Sequence, residues 1–220
     1  MLHTNRTIAR LIAIIALALL AVPAGATVVV KNTRADWEAL TSGIFTIDFE
    51  GLATPSVPGN YSTAGGLTLN GVNFVGDNLD GSYYLQAYDS ATGGSYNWGS
   101  GDYLLGSGWW TNYIQATLPA GGVTAVAADL MTVLSGHDVA VSLSTGDTYT
   151  VNTFANPTHA FIGFTSDVPI TWVRFSAAGS YTAMDNFSFG SMATPEPDAL
   201  ILAATGLAGL WLARRLRRFC

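Results

Sequence analysis

The sequence has little cysteine and few charged residues, and the charges it has are mostly of one sign. Its one cysteine is Cys220, so no intrachain disulfide can form and residues 27–194 contain no thiol for catalysis or metal binding. Residues 27–194 hold three basic and thirteen acidic side chains, a net charge of −10 against −6 for the whole chain. A stretch this acidic is repelled by nucleic acid and by anionic lipid, and it attracts divalent cations.

Catalytic motifs are also missing. His137 and His159 are the histidines of residues 27–194, and no G-x-S-x-G or H-E-x-x-H motif is present. His137 and Asp138 are neighbours on a predicted strand, so their side chains point to opposite faces and cannot form a base–orienter pair. We therefore expect no enzyme. A glycan-active enzyme stays open as an alternative, because glycoside hydrolysis needs only two carboxylates.

The N-terminal segment carries an export signal. Arg6 and Arg10 precede the apolar residues 11–22, and Ala24-Gly25-Ala26 places small residues where a signal peptidase cuts. Twelve apolar residues are too few to span a bilayer, which disfavours an uncleaved anchor helix. The sequence predicts a signal peptide at residues 1–26 and an exported domain at 27–194.

Residues 195–220 contain a second signal, made of three consecutive parts. Pro195-Glu196-Pro197 stays extended because proline can neither continue a helix nor join a sheet interior. The uncharged run 199–213 prefers lipid to water and predicts a transmembrane helix. A cluster of four arginines at 214–218 favours the cytoplasmic side of the membrane; these are Arg214, Arg215, Arg217 and Arg218. A plain tail anchor is the alternative reading.

These three parts together resemble the C-terminal sorting tail of PEP-CTERM proteins of exopolysaccharide-producing Gram-negative bacteria. The resemblance implies a membrane-embedded cysteine transpeptidase, an exosortase, that recognises Pro195, Glu196 and Pro197 and cleaves nearby. It also implies transient residence in the inner membrane, then delivery to the cell surface or extracellular matrix. A helix of the 15 uncharged residues is about 22 Å long against a hydrocarbon core of about 30 Å, which suits a transient substrate.

Residues 27–194 have the pattern of an all-β protein with one short helix at 34–41, capped by Thr33. Phe45, Ile47 and Phe49 alternate with polar residues, and Asn70-Gly71 marks a tight hairpin between two apolar alternations. Further strands are predicted at 83–88, 113–118, 123–133, 137–143, 148–154, 159–165, 170–177 and 182–189. Short strands separated by Gly and Asp predict an antiparallel β-sandwich.

Four segments in order add a second resemblance, to the exported domains often attached to such tails. They are Thr33-Arg34-Ala35-Asp36-Trp37, Ile47-Asp48-Phe49-Glu50-Gly51-Leu52, Gly71-Val72-Asn73-Phe74 and the closing Met184-Asp185-Asn186-Phe187-Ser188-Phe189-Gly190. Those domains are similar to lectin-like or carbohydrate-binding jelly rolls, so the resemblance implies a fold more than an activity. Asp48 and Glu50 share the polar face of an early strand, while Asp185 lies on the last strand in phase with Phe187 and Phe189. First and last strands can be neighbours in a sandwich, so these three carboxylates are a candidate Ca²⁺ site. Alternatively, they are solvated or accept backbone hydrogen bonds.

Residues 83–113 are rich in aromatic side chains interleaved with Gly and Ser. Flat rings beside polar groups suit sugars, whose C–H faces stack on the ring, although a sandwich core also needs large side chains. The candidate glycan contacts are Tyr96, Trp98, Tyr103, Trp109 and Trp110. We expect a surface or matrix protein that is structural or binds exopolysaccharide; a protein–protein adhesion module is the further alternative.

Overall fold

Two antiparallel sheets packed face to face make up the described part of the chain. The computed structural model describes residues 26–55, 57–78, 80–90, 98–99, 101–106, 113–133, 137–153, 159–177 and 179–193. The predicted β-sandwich is confirmed.

The elements follow one another with a single short helix after the first strand. They are β1 (Val28–Lys31), α1 (Arg34–Glu38), β2 (Thr41–Ile47), β3 (Gly59–Asn60), β4 (Leu67–Leu69), β5 (Val72–Asp77), β6 (Leu85–Asp89), β7 (Asp102–Gly106), β8 (Tyr113–Thr117), β9 (Ala125–Thr132), β10 (Asp138–Leu143), β11 (Thr148–Asn152), β12 (Ala160–Ser166), β13 (Trp172–Ala177) and β14 (Thr182–Met192).

Within the described residues, one sheet has eight strands and the other has six. The eight-stranded sheet runs in the order β1-β12-β9-β14-β7-β6-β3, and β2 pairs with the C-terminal part of β14. The six-stranded sheet runs in the order β11-β10-β13-β8-β5-β4. The early strand β2 and the last strand β14 are thus neighbours, whereas the first strand β1 pairs with β12.

The helix α1 begins as predicted but ends early. The Thr33 hydroxyl oxygen accepts from the backbone N–H of Asp36 at 3.2 Å, so Thr33 caps the first turn. Helical structure stops at Glu38 rather than at residue 41, because residues from Thr41 onward pair with β14. Trp37 is fully buried on the outer face of the eight-stranded sheet, beside Phe161.

The strongest turn signal of the sequence, Asn70-Gly71, forms the turn that it predicts. Asn70 and Gly71 have φ of 48° and 81°, and they join β4 to β5 in the predicted tight hairpin. The strands β3 and β7 were not predicted, because they lie among Gly, Ser and Pro residues with little alternation.

The main core lies between the two sheets. Phe49, Phe74 and Phe187 meet edge to face there, with ring centroids 5.2–5.3 Å apart. A second, smaller core covers the outer face of the eight-stranded sheet; its buried members are Trp98, Tyr103, Leu105, Met131, Val133 and Ala183.

Both chain ends of the described domain lie at one end of the sandwich. Val28 pairs with Ser166, and Ala125 pairs with both Thr165 and Gly190. The start of β1 and the end of β14 therefore lie at the same end of the strands, which we call the tail-proximal end.

Candidate functional site

Two of the predicted glycan contacts are buried. Trp98 is 1% exposed and Tyr103 is fully buried, so the expectation that their rings face a sugar is wrong. Both rings cover apolar residues on the outer face of the eight-stranded sheet, where Leu105 and Met131 would otherwise meet water. The other predicted contacts, Tyr96, Trp109 and Trp110, lie outside the described residues.

Trp98 and Tyr103 nevertheless organise a larger set of stacked rings. The ring centroids of the exposed His159 and of Trp98 lie 4.3 Å apart, with an interplanar angle of 8°. The centroid of Trp98 lies 5.6 Å from that of Tyr103, which in turn lies 6.1 Å from that of Tyr88. Tyr84 and Tyr181 meet at 6.0 Å and pack against the same cluster. We call this set the aromatic layer; its members are Tyr84, Tyr88, Trp98, Tyr103, His159 and Tyr181.

The half-exposed part of the aromatic layer contains a polar group. Tyr84, Gln86 and Tyr88 point to the same face because side chains alternate along a strand. The hydroxyls of Tyr84 and Tyr88 both donate to the side-chain carbonyl oxygen of Gln86, at 2.8 and 2.7 Å. The amide nitrogen of Gln86 donates to no side chain or backbone oxygen among the described residues. Half-exposed rings that flank an amide donor can recognise both a C–H face and a hydroxyl.

A cluster of carboxylates lies on the same outer face. Asp185 pairs across the sheet with Asp129, and the register shifts between Asp185 and Ser188. Asn186 has φ of 48° at this β-bulge. The bulge turns Asp185 to the side of the sheet opposite Phe187, so the prediction that these two residues share a phase is wrong.

Asp48 and Glu50 lie beyond the end of β2 rather than on its polar face. Both are exposed, and the buried Phe49 between them has φ of 58°, which is unusual for a bulky residue. One Glu50 carboxylate oxygen accepts from the backbone N–H of the buried Asp102 at 3.2 Å.

Burial raises the pKa of Asp185 to about 7. Loss of water around its carboxyl is the largest cause, and the negative charges of Asp129, Glu50 and Asp48 raise the pKa further. The backbone N–H of Asn186 donates to Asp185 at 2.6 Å and acts in the opposite direction. The cluster thus holds a proton near neutral pH.

Arg34 is the positive charge nearest to this cluster. One of its guanidinium nitrogens donates to Asp129 at 3.1 Å and the other donates to Ser188 at 3.0 Å. Its guanidinium also lies 4.9 Å from the ring centre of Phe161. Arg34 therefore ties α1 to β9 and β14 and neutralises one of the carboxylates.

The predicted calcium ligands Asp48, Glu50 and Asp185 come close enough to interact electrostatically. Among the described residues, however, no three His, Cys, Asp or Glu side chains form a group that could hold a metal ion. The calcium site stays a prediction.

Phe45 is the feature that sequence reasoning missed. Its alternation with Ile47 and Phe49 suggested a core position, yet Phe45 is 61% exposed while Ile47 and Phe49 are buried. Its ring stacks on Phe189 at 5.7 Å and 22°, beside an open slot of about 350 Å³ that Asn70 also lines. No local signal reveals this, because Ile47 and Phe49 continue the same alternation and are buried.

The sorting residues Pro195, Glu196, Pro197, Arg214, Arg215, Arg217 and Arg218 lie outside the described residues. No helix within the described residues is long and apolar enough to cross a membrane.

No curated protein matches the chain. A solved structure of TmCBM61 in complex with β-1,4-galactotriose is similar at a TM-score of 0.31 with 15% identity, over 60% of this chain and 98% of that one. That similarity is too distant to support a function. Residues 193–218 match the PEP-CTERM protein-sorting motif. The chain therefore carries a PEP-CTERM sorting motif, which marks it as an exosortase substrate exported to the cell envelope or surface.

Proposed function

We propose that this exported protein binds a polysaccharide of the extracellular matrix through the half-exposed side of its aromatic layer. The observation that supports this most is the hydrogen bonding of Gln86. Its carbonyl oxygen accepts from Tyr84 and Tyr88, which fixes both rings and directs the amide nitrogen away from them. Fixed rings beside an amide donor need little ordering when a sugar binds.

The proposed itinerary begins with export of residues 27–194 across the inner membrane. The apolar run 199–213 then holds the chain in the bilayer while an exosortase cleaves near Pro195-Glu196-Pro197. Mass spectrometry of the mature protein from its native host tests this itinerary. Recovery of a chain that still carries Arg214–Arg218 and stays in the inner membrane would rule it out.

Glycan binding can be tested with the matched pair Gln86 and Gln115. Both glutamines lie on strands and are half-buried, but Gln115 belongs to the six-stranded sheet and accepts from Arg174. With polysaccharide purified from the native matrix, we expect Gln86→Ala to weaken binding about tenfold, the value of roughly one hydrogen bond. We expect Gln115→Ala to bind as the wild type does.

The double variant Tyr84→Ala/Tyr88→Ala removes the rings themselves. We expect it to abolish binding in co-sedimentation and on a glycan array. Circular dichroism must show that the variant is folded, and Tyr149→Ala, which removes a half-buried tyrosine of the six-stranded sheet, is the control. Unchanged binding by the folded double variant would refute the proposal.

A glycan-active enzyme is the second candidate, and the raised pKa of Asp185 favours it. A carboxyl whose pKa lies near 7 beside other carboxylates has the character of a general acid. Under our proposal, incubation with matrix polysaccharide produces no new reducing ends. Release of reducing ends that disappears in Asp185→Asn would support the enzyme instead.

Thermal melting in Ca²⁺ and in chelator tests the calcium prediction. If Asp48, Glu50 and Asp185 bind Ca²⁺, saturating Ca²⁺ raises the melting temperature relative to chelator, and Asp185→Asn removes the increase. Identical melting in Ca²⁺ and chelator would end this prediction.

A further inference from the structure

The sorting tail leaves the sandwich without a linker. The backbone N–H of Ala193 still donates to the carbonyl oxygen of Leu40 at 2.8 Å, and only Thr194 separates Ala193 from Pro195. The apolar run begins at Ala199, six residues after Ala193, and six extended residues reach about 20 Å at most. While the run is in the bilayer, the tail-proximal end of the domain is therefore held close to the membrane surface.

Part of that end is free of charge. The segments 39–47, 117–128 and 186–193 contain no charged side chain, although residues 27–194 carry a net charge of −10. All three segments contribute to the end of the sheet at which β2 and β9 begin and β14 ends. We call the surface they form the uncharged end. An anionic bilayer repels an uncharged surface less than it repels the carboxylates of this domain.

The uncharged end also exposes apolar side chains. Phe45 is 61% exposed, and Leu40 and Ile44 are each 37% exposed. The Phe45 ring is supported from behind by Phe189 and borders an open slot. Supported aromatic and aliphatic side chains on an uncharged surface suit the boundary between lipid headgroups and acyl chains.

We propose that the uncharged end rests on the bilayer, with Phe45 inserted into the headgroup layer, while the sorting tail is attached. The proposal rests on membrane insertion of residues 199–213, which is part of the proposed function. The bilayer is favoured over a second copy of the chain because the tail length brings the bilayer to this surface in every molecule. After cleavage, the same surface loses its tether.

The test uses the full chain in a Cys220→Ser background, with one new cysteine labelled with an environment-sensitive fluorophore. Phe45→Cys is the test position, Leu40→Cys is a second, and Val57→Cys is the control. Val57 is 62% exposed, which matches Phe45, but it precedes β3, the third strand from β14 across the sheet. Vesicles of phosphatidylethanolamine and phosphatidylglycerol are the probe.

We expect the chain to float with vesicles in a density gradient. The emission at position 45 should shift to the blue and rise about twofold, position 40 should change less, and position 57 should not change. A chain that does not float would refute membrane insertion and this inference together. A floating chain whose positions 45 and 57 respond alike would refute this inference alone. A concentration-dependent blue shift at position 45 without vesicles would assign the surface to a second copy, which also overturns it.

Discussion

The aromatic layer and the uncharged end both bring aromatic rings to the surface, but their electrostatic surroundings differ. The aromatic layer shares its face of the sheet with Asp129 and Asp185. The Phe45 ring lies on a surface formed by three segments without a charge. Hydroxyl-rich ligands suit rings near carboxylates and amides, whereas lipid suits rings without charged neighbours. Under the two proposals, aromatic content alone does not indicate a partner; the neighbouring charges do.

The first prediction removes one ring from the aromatic layer and one from the uncharged end. Trp98→Ala should lower the free energy of unfolding by about 3–5 kcal/mol, because it empties the centre of the second core. Phe45→Ala should lower it by less than about 1 kcal/mol, because most of the ring already contacts water. Urea denaturation of both variants checks this. Equal losses would mean that Phe45 is structural, and the assigned role of the uncharged end would fail.

The second prediction concerns the proton on Asp185. The folded protein holds this proton up to about pH 7, while the unfolded chain releases it near the ordinary pKa of 3.8. The folded state therefore binds more protons between about pH 4 and pH 7, and the contribution of Asp185 to stability falls as the pH rises through that range. Asp185→Asn removes this dependence, so at pH 8 the variant should be more stable than the wild type by about 2–4 kcal/mol.

Urea denaturation at several pH values between 4 and 8 measures this difference. Glu38→Gln is the control, since Glu38 is exposed on α1 and should give a curve parallel to that of the wild type. If Asp185→Asn also gives a parallel curve, Asp185 is ionised in the folded protein at neutral pH. The carboxylate cluster beside the aromatic layer would then carry one more negative charge at neutral pH.

The third prediction tests how Arg34 holds the carboxylate cluster together. Arg34→Lys keeps the charge but loses the forked geometry that reaches Asp129 and Ser188 at once. We expect a loss of about 1–2 kcal/mol, because one of the two hydrogen bonds and part of the contact with Phe161 disappear. Thermal melting measures the loss. Arg174→Lys on the six-stranded sheet shows how much a change from Arg to Lys costs away from the cluster.

The smallest expected effect is at the hairpin beside the uncharged end. Gly71 has φ of 81°, where an alanine side chain is strained, so Gly71→Ala should cost about 1 kcal/mol. Binding of polysaccharide should be unchanged, because the hairpin belongs to the six-stranded sheet. Reduced polysaccharide binding by this variant would show that the two surfaces are coupled.

Local features of the fold were predictable from sequence because their causes are local. Thr33 caps α1 through its own side chain, and Asn70-Gly71 adopts the left-handed backbone that a tight hairpin requires. The strands follow alternation in the same way, and their regular spacing predicts the sandwich.

Features that depend on the facing sheet or on a bulge were not predictable. Asp185 and Phe187 are two residues apart and should share a face, but one extra residue at Asn186 reverses their relation. Phe45 follows the core alternation and is exposed, while Trp98 follows no alternation and is buried. Trp98 is buried in a cluster that includes Met131 and Ala183, which lie far away in the sequence.

The shared position of the two chain ends has a consequence for maturation. Thr27, next to the predicted signal peptide, exchanges hydrogen bonds with Asp167, and Ala193 is bonded to Leu40, at the same end of the sandwich. If both proposed cuts occur, they change the covalent structure at one pole of the domain. Tyr84, Gln86 and Tyr88 lie on or next to β6, which pairs with β7 and not with the strands that carry the two chain ends.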